Sequence, residues 1–294
     1  MRIRTIAATA GSVILLTACA TTADTKQAPT PAFDQARIDA ALDRQSDGAK
    51  ARYGARHPAE TLAFFDLAPG MTVVEGLPGG GWYSKILVDY LGPDGRLIGA
   101  DYALDMWPKF GFFDDEFIEG KKTWASDWPE QAQEWRGADS ARVDAFAFNA
   151  VPERLLESAD AVVFIRALHN FARFNEDGGY LDNALAETYA VLKPGGIVGV
   201  VQHQAPEARS DAFANGSRGY LKKAYVIERM RAAGFEYVGS RDINANPKDQ
   251  PSEADMVWRL PPSLSGSRDK PEQRAKMEAI GESNRMTLKF RKPR

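Results

Sequence analysis

The sequence predicts an α/β fold: a mostly parallel sheet of seven strands with helices on both faces. Three observations carry that expectation. The run Met71 to Val74 is short, apolar and β-branched, and is opened by a Pro69-Gly70 turn. The glycines Gly79-Gly80-Gly81 follow it, and then Ile86, Leu87, Tyr90 and Leu91 recur at helical spacing until Gly92-Pro93-Asp94-Gly95 stops them. Farther on, Ala161-Val162-Val163-Phe164-Ile165 is a continuous apolar run, as a strand covered on both faces requires.

The remaining elements fall around these. Asp34 to Gln45 places Ile38, Ala41 and Leu42 on one helical face, and a second helix, Ala59 to Phe65, starts behind Pro58, a residue suited to a first helical turn. Arg96 to Ala100 reads as the second strand, with Asp101 at its C-terminal tip. Arg142 to Phe146 is a weaker third strand. A helix with Leu181, Leu185, Thr188 and Leu192 on one stripe leads through Lys193-Pro194-Gly195-Gly196 to a fifth strand, Ile197 to Val201. A helix around Tyr225 to Ala233 ends at Gly234, Phe235 to Gly239 gives the sixth strand, and Arg285 to Phe290 alternates as the last. Four of the six tryptophans lie between residues 105 and 136. That insertion reads either as a substrate lid or as a segment packing its own small core.

The N-terminus reads as an export signal. Arg2 and Arg4 precede a mostly apolar run through Val13-Ile14-Leu15-Leu16, far shorter than the roughly 20 residues a bilayer span needs. Leu16-Thr17-Ala18-Cys19 then matches a lipoprotein signal, so residues 1–18 are expected to be removed and Cys19 lipidated. Ala20 after the cysteine favours the periplasmic side of the outer membrane. Cys19 is the only cysteine, so no disulfide within the chain supports the fold. Residues 19–33 lack apolar content and read as a flexible tether, which leaves 34–294 as a single domain of about 260 residues. Without Arg2 and Arg4, 35 bases face 40 acids, a net of −5. This acidic balance, with no basic block, argues against a nucleic-acid partner.

The chemistry concentrates on the strand ends. Glu75 closes the first strand, where a carboxylate would disfavour a pyrophosphate but suit a cofactor with an amino group and ribose hydroxyls. Asp101 stands where a ribose diol is bound in such sheets. Two of the three histidines, His169 and His203, lie just past the fourth and fifth strands. Neighbouring strands are about 4.8 Å apart, so both imidazoles can face one small ligand and serve as a base near neutrality. Two histidines without a third ligand at recognisable spacing are a weak metal signal, and no metal is expected. Arg166 and Asn170 flank His169. His57 has a lesser claim to reach the site.

On the stretch Glu75-Gly76-Leu77-Pro78-Gly79-Gly80-Gly81-Trp82-Tyr83 the chain resembles the class I S-adenosylmethionine-dependent methyltransferases. It is most similar to an exported bacterial branch whose turn reads Glu-x-x-Pro-Gly-Gly-Gly-Trp-Tyr. The likeness runs from about His57 to the C-terminus and includes Arg166-Ala167-Leu168-His169-Asn170, Leu192-Lys193-Pro194-Gly195-Gly196, Gln202-His203 and Leu288-Lys289-Phe290-Arg291-Lys292-Pro293. Leu77 and Pro78 depart from the general class, which has a glycine and a small residue there. The resemblance implies a Rossmann-like fold with an antiparallel C-terminal strand and S-adenosylmethionine as cofactor. It implies a cofactor site at Glu75, Gly76, Pro78, Gly79, Gly80, Gly81, Asp101, Tyr102, Asp144 and Arg166, with Phe146 the other candidate at the adenine. His169 and His203 would be catalytic toward a small-molecule or envelope acceptor.

Two other readings stand beside it. A lipid-anchored binding protein could keep the fold without the transfer chemistry, because the cofactor is made in the cytoplasm. A nicotinamide enzyme is the weaker reading, since Gly79-x-Gly81-x-x-Ser84 only partly imitates the dinucleotide fingerprint.

Overall fold

Strand order governs everything that follows. In a computed structural model, which describes Met1 and residues 32–294, the sheet runs β3-β2-β1-β4-β5-β8-β7. The strands are β1 (Thr72–Gly76), β2 (Arg96–Asp101), β3 (Arg142–Ala147), β4 (Ala159–Ile165), β5 (Leu192–Ala205), β6 (Leu221–Lys222), β7 (Glu236–Arg241) and β8 (Arg285–Arg291). The first five pair in parallel, two-residue β6 pairs with the end of β5, and β8 runs antiparallel to both β5 and β7. The expected mostly parallel α/β sheet with an antiparallel C-terminal strand is present. The leader, Cys19 and the tether as far as residue 31 lie outside the described residues.

Both faces of the sheet are covered, and the pleat decides which residue meets which layer. Side chains alternate along a strand, so Val73, Leu97, Ala161 and Val163 face one layer with Ile38, Leu62, Phe65, Ile86, Leu87 and Tyr90. Their neighbours Val74, Ile98, Val162 and Phe164 face the other, with Leu181, Leu185, Met230 and Phe290. The helix Trp82–Leu91 is therefore almost wholly buried, in accord with its apolar spacing.

Two expectations are refined. The helix Tyr180–Val191 passes directly into β5, so Lys193 to Gly196 is an irregular stretch of strand and not a free turn. Left-handed Gly195 donates its N–H to the Lys292 carbonyl there. The aromatic insertion divides its work. Trp124 and Trp128 stack at 5.6 Å and lie on Gly99 of β2, where any added Cβ would come within 2.8 Å of the Trp128 ring. Trp107, Phe110, Phe113 and Phe117 form a separate cluster at the strand ends, with Phe113 and Phe117 stacked at 4.3 Å. The first cluster packs on the sheet and the second lines a cavity, and Trp124 takes part in both.

Gly76 shows how tightly the strand ends are packed. A Cβ on Gly76 would lie 2.5 Å from the ring of Phe164, its cross-strand partner. Gly76→Ala should lower stability by about 1–3 kcal/mol, as overpacking does, measured by thermal melting. Combined with Phe164→Leu, it should cost less than the two single losses together, because the clash disappears with the ring.

Candidate active site

The order of the parallel strands reverses between β1 and β4, and open α/β sheets bind ligands in the crevice that such a reversal leaves. Two cavities open there. The larger, about 650 Å³, lies over the β2 side and is walled by Tyr102, Trp107, Phe110, Phe113 and Trp124, with Asp101 at its floor. The smaller, about 280 Å³, lies toward β4, β5 and β8 and is lined by Pro78, Gly80, Arg166, His203 and Ser283. Leu77, Gly79, His169 and Trp258 line both, so they form the junction.

In the larger cavity Asp101 accepts the Tyr102 backbone N–H at 2.9 Å through Oδ1 and pairs with Lys121 Nζ at 2.9 Å through Oδ2. Burial raises the Asp101 pKa, and the Lys121 charge opposes the rise. The insertion delivers Lys121, whose ammonium also lies 4.1 Å above the Trp107 ring. Tyr102 accepts a hydrogen bond from Asn170 Nδ2 at 2.8 Å, which ties the end of β2 to the helix Leu168–Arg173. Phe112 is 70% exposed at the mouth.

In the smaller cavity Arg166 follows β4 with φ +61, its backbone N–H donated to the Val201 carbonyl. Among the described residues the Arg166 side chain makes no hydrogen bond or ion pair, and its Nε is buried without a partner. His203 Nδ1 and Ser283 Oγ share a hydrogen bond of 2.6 Å, and the His203 and His169 rings are 5.7 Å apart. Burial pushes His169 down to about 4, with Gln202 pulling upward and Arg166 and Arg173 adding to the fall. His203 lies well below the ordinary imidazole range for the same first reason, then through His169 and Arg166. Both rings are therefore neutral at physiological pH. His169 Nδ1 is buried on the Gln202 side of the ring and makes no hydrogen bond of ordinary geometry.

The crevice gathers Pro78, Gly79, Gly80, Asp101, Tyr102, Arg166, His169 and His203 from the residues expected on sequence. It does not gather the others. Glu75 is 3% exposed and lines neither cavity, because its carboxyl turns inward to accept a 2.6 Å hydrogen bond from Ser84 Oγ. Burial pushes Glu75 up to about 7 against the pull of Ser84 and Arg166. It braces the turn against the helix. Gly76 is small because Phe164 covers it, and Gly81 because the residue before the helix sits at φ +74. Asp144 is in mid-strand, paired with Arg96 and Arg154, and so lies away from the C-terminal edge. Phe146 is sealed in the core beside Phe148, and His57 lines neither cavity. Among the described residues no three His, Cys, Asp or Glu side chains are placed to hold a metal. Lys121, Trp258 and Ser283 join the site without a signal in the sequence, since each reaches it by chain reversal from a segment with no motif.

No family model matches the sequence, and no curated protein matches it. Among solved structures, the chain is similar to the [4+2]-cyclase SpnF at 19% identity, covering 81% of this chain and 80% of that one, with a TM-score of 0.49. It is similar to geranyl diphosphate C-methyltransferase from Streptomyces coelicolor at 13% identity, covering 89% of each chain, with a TM-score of 0.49. A SAM-dependent methyltransferase from Aquifex aeolicus shares 17% identity over 72% of this chain and 94% of that one, with a TM-score of 0.44.

Glu75 gives this region a pH signature. Its pKa rises from the ordinary 4.5 to about 7 in the folded state. Its stabilising contribution is therefore complete below about 4.5 and is lost as pH climbs through about 7. Between about pH 5 and pH 8 the wild type should lose up to about 3 kcal/mol relative to Glu75→Gln in urea unfolding. Parallel pH dependences in the two proteins would mean an ordinary carboxyl.

Proposed function

We propose that the protein is an S-adenosylmethionine-dependent methyltransferase with the cofactor's nucleoside in the larger cavity and the acceptor in the smaller. The observation that carries this reading is the pair of cavities meeting at His169 where the strand order reverses. The residues present fit the group. The two Asp101 oxygens already accept from Tyr102 and Lys121 and have lone pairs left for a ribose diol. The aromatic walls suit a purine, and Gly79 and Gly80 let backbone approach the ligand closely. Bound there, the sulfonium would supply an electrophilic methyl group.

The chain's own residues then have distinct roles. The neutral His169 stands at the junction and can accept a hydrogen bond from an acceptor hydroxyl, but at about 4 it is not the base near neutrality expected on sequence. His203, held by Ser283, presents a second neutral imidazole to the same small cavity. Leu77 and Trp258 narrow the junction and limit water. The solved structures of similar fold include methyltransferases, one of them crystallised with S-adenosyl-L-homocysteine, in keeping with this reading. We also propose an exported, Cys19-lipidated form on the periplasmic side of the outer membrane, supported by the leader pattern ending Leu16-Thr17-Ala18-Cys19.

Calorimetry on the full-length protein tests the cofactor. S-adenosylmethionine and S-adenosylhomocysteine should bind in the micromolar range. Asp101→Asn should weaken both about tenfold or more, ~1.4 kcal/mol, whereas Asp144→Asn should leave them unchanged. Absence of binding at millimolar ligand would overturn the reading. For the anchor, Cys19→Ser should abolish incorporation of labelled palmitate in bacterial cells.

A further inference from the structure

The smaller cavity has an excess of positive charge, and that imbalance narrows the acceptor. Arg52, Arg56, Arg166 and Arg285 couple electrostatically to one another around it, and Glu282 is the carboxylate they face. Glu282 pairs with Arg52 at 2.5 Å, Arg56 at 3.3 Å and Arg285 at 3.1 Å. Three guanidinium groups thus share one negative charge, and Arg166 has no ion pair among the described residues. The strain is visible on Arg56, which is 2% exposed: burial, then Arg166, pulls it down to about 9, and its Nη1 has no partner. Neither neutral histidine supplies a counter-charge. Glu75, the other acid near Arg166, is turned toward Ser84.

Unpaired buried charge is costly, and proteins keep it where a ligand completes the pair. Of the four, Arg166 is the one that lines the cavity; Glu282 lines it too, but its carboxylate is already shared among the other three. Its planar fork suits a carboxylate. At about 280 Å³ the space is at or below the lower limit of ordinary small-molecule pockets.

We infer that the smaller cavity is an anion subsite and that the acceptor is a small carboxylate, seated on Arg166 with its nucleophile toward His169. The acceptor assignment rests on the proposed cofactor site, whereas the anion subsite does not. Arg166, expected on sequence beside the cofactor, is here given to the acceptor, because β4 and β5 lie across β1 from Asp101.

The three histidines make the test direct. In ¹H–¹³C spectra of the full-length protein, benzoate should shift the His169 and His203 ring signals saturably. His57, which lines neither cavity, should stay fixed. Benzamide, the neutral match, should bind about tenfold more weakly. Arg166→Asn removes the charge while tolerating the left-handed backbone, and it should erase the preference for benzoate. Benzoate should still bind when S-adenosylhomocysteine saturates the protein. Equal responses to benzoate and benzamide, or a preference that survives Arg166→Asn, would overturn the anion subsite. Exclusion of benzoate by S-adenosylhomocysteine would overturn the acceptor assignment and return Arg166 to the cofactor's own carboxylate. If S-adenosylhomocysteine fails to bind, the cofactor reading falls while the benzoate comparison still decides the anion subsite. If Arg166→Asn does not fold, the wild-type benzoate–benzamide contrast decides it.

Discussion

A single carboxylate holds one wall of the crevice in place. Glu282 lies just before β8, yet two of its three arginine partners, Arg52 and Arg56, come from the N-terminal helical segments. The third, Arg285, opens β8 and donates to the Ala55 carbonyl at 2.5 Å, fastening the same two ends of the chain a second time. Nearby, buried Asn244 donates to both Thr61 and Thr287 at 3.0 Å. Segments some 230 residues apart in sequence are thus joined by buried polar contacts. Such contacts add less net stability than their number suggests, because desolvation offsets much of the Coulomb gain. What they fix is placement. Losing Glu282 would leave buried Arg56 and Arg285 and half-buried Arg52 facing each other, and the smaller cavity would lose part of its wall.

The two cavities differ in kind although they share a junction. The larger is aromatic, with Asp101 and Lys121 paired to each other and Arg173 at its edge. The smaller is cationic, with its arginine unpaired. A fold of this class hosts many chemistries, and activity is decided by what is grafted onto the strand ends. Here the graft comes from four sources: the glycine turn after β1, the aromatic insertion after β2, the helix after β4, and the segment around Trp258 before β8. None of these belongs to the sheet itself.

That origin explains what could be read from the sequence. The strands announced themselves because burial on both faces demands continuous apolar runs, as at Ala161 to Ile165. The histidine pair was legible because each ring lies near the end of such a run, although His203 proves to be within β5, paired with Arg285, and not beyond it. Glu75 and Asp144 misled for a common reason: an acidic residue near a strand end can face a ligand or a local partner, and the sequence does not say which. Ser84 claims Glu75, while Arg96 and Arg154 claim Asp144. Lys121 and Trp258 were silent because their roles depend on how irregular segments fold back over the crevice, which no periodicity encodes. The role of Gly76 was legible only in part. Its smallness is required, but by the Phe164 ring opposite and not by a ligand.

Two residues outside glycine carry left-handed backbone at the reversal point, Leu77 with φ +59 and Arg166 with φ +61. Gly76 and Phe164 are cross-strand partners, so these two residues leave neighbouring strands within a residue of one another. Each such conformation costs of order 1–3 kcal/mol and persists only where the surroundings over-determine it. Here the surroundings are hydrogen bonds: Leu77 donates to the Ala100 carbonyl at 2.7 Å, and Arg166 to the Val201 carbonyl at 2.6 Å. Each bond ties a chain to the next strand outward, β1 to β2 and β4 to β5, just as it bends away. The bends place Leu77 at the junction and Arg166 in the smaller cavity. The same backbone recurs at His57, Asp66, Asn149, Glu157 and Leu264, which line neither cavity, so it marks sharp bends in general. At Leu77 and Arg166 the bends fall on both lips of one crevice, and there they shape the junction and the smaller cavity.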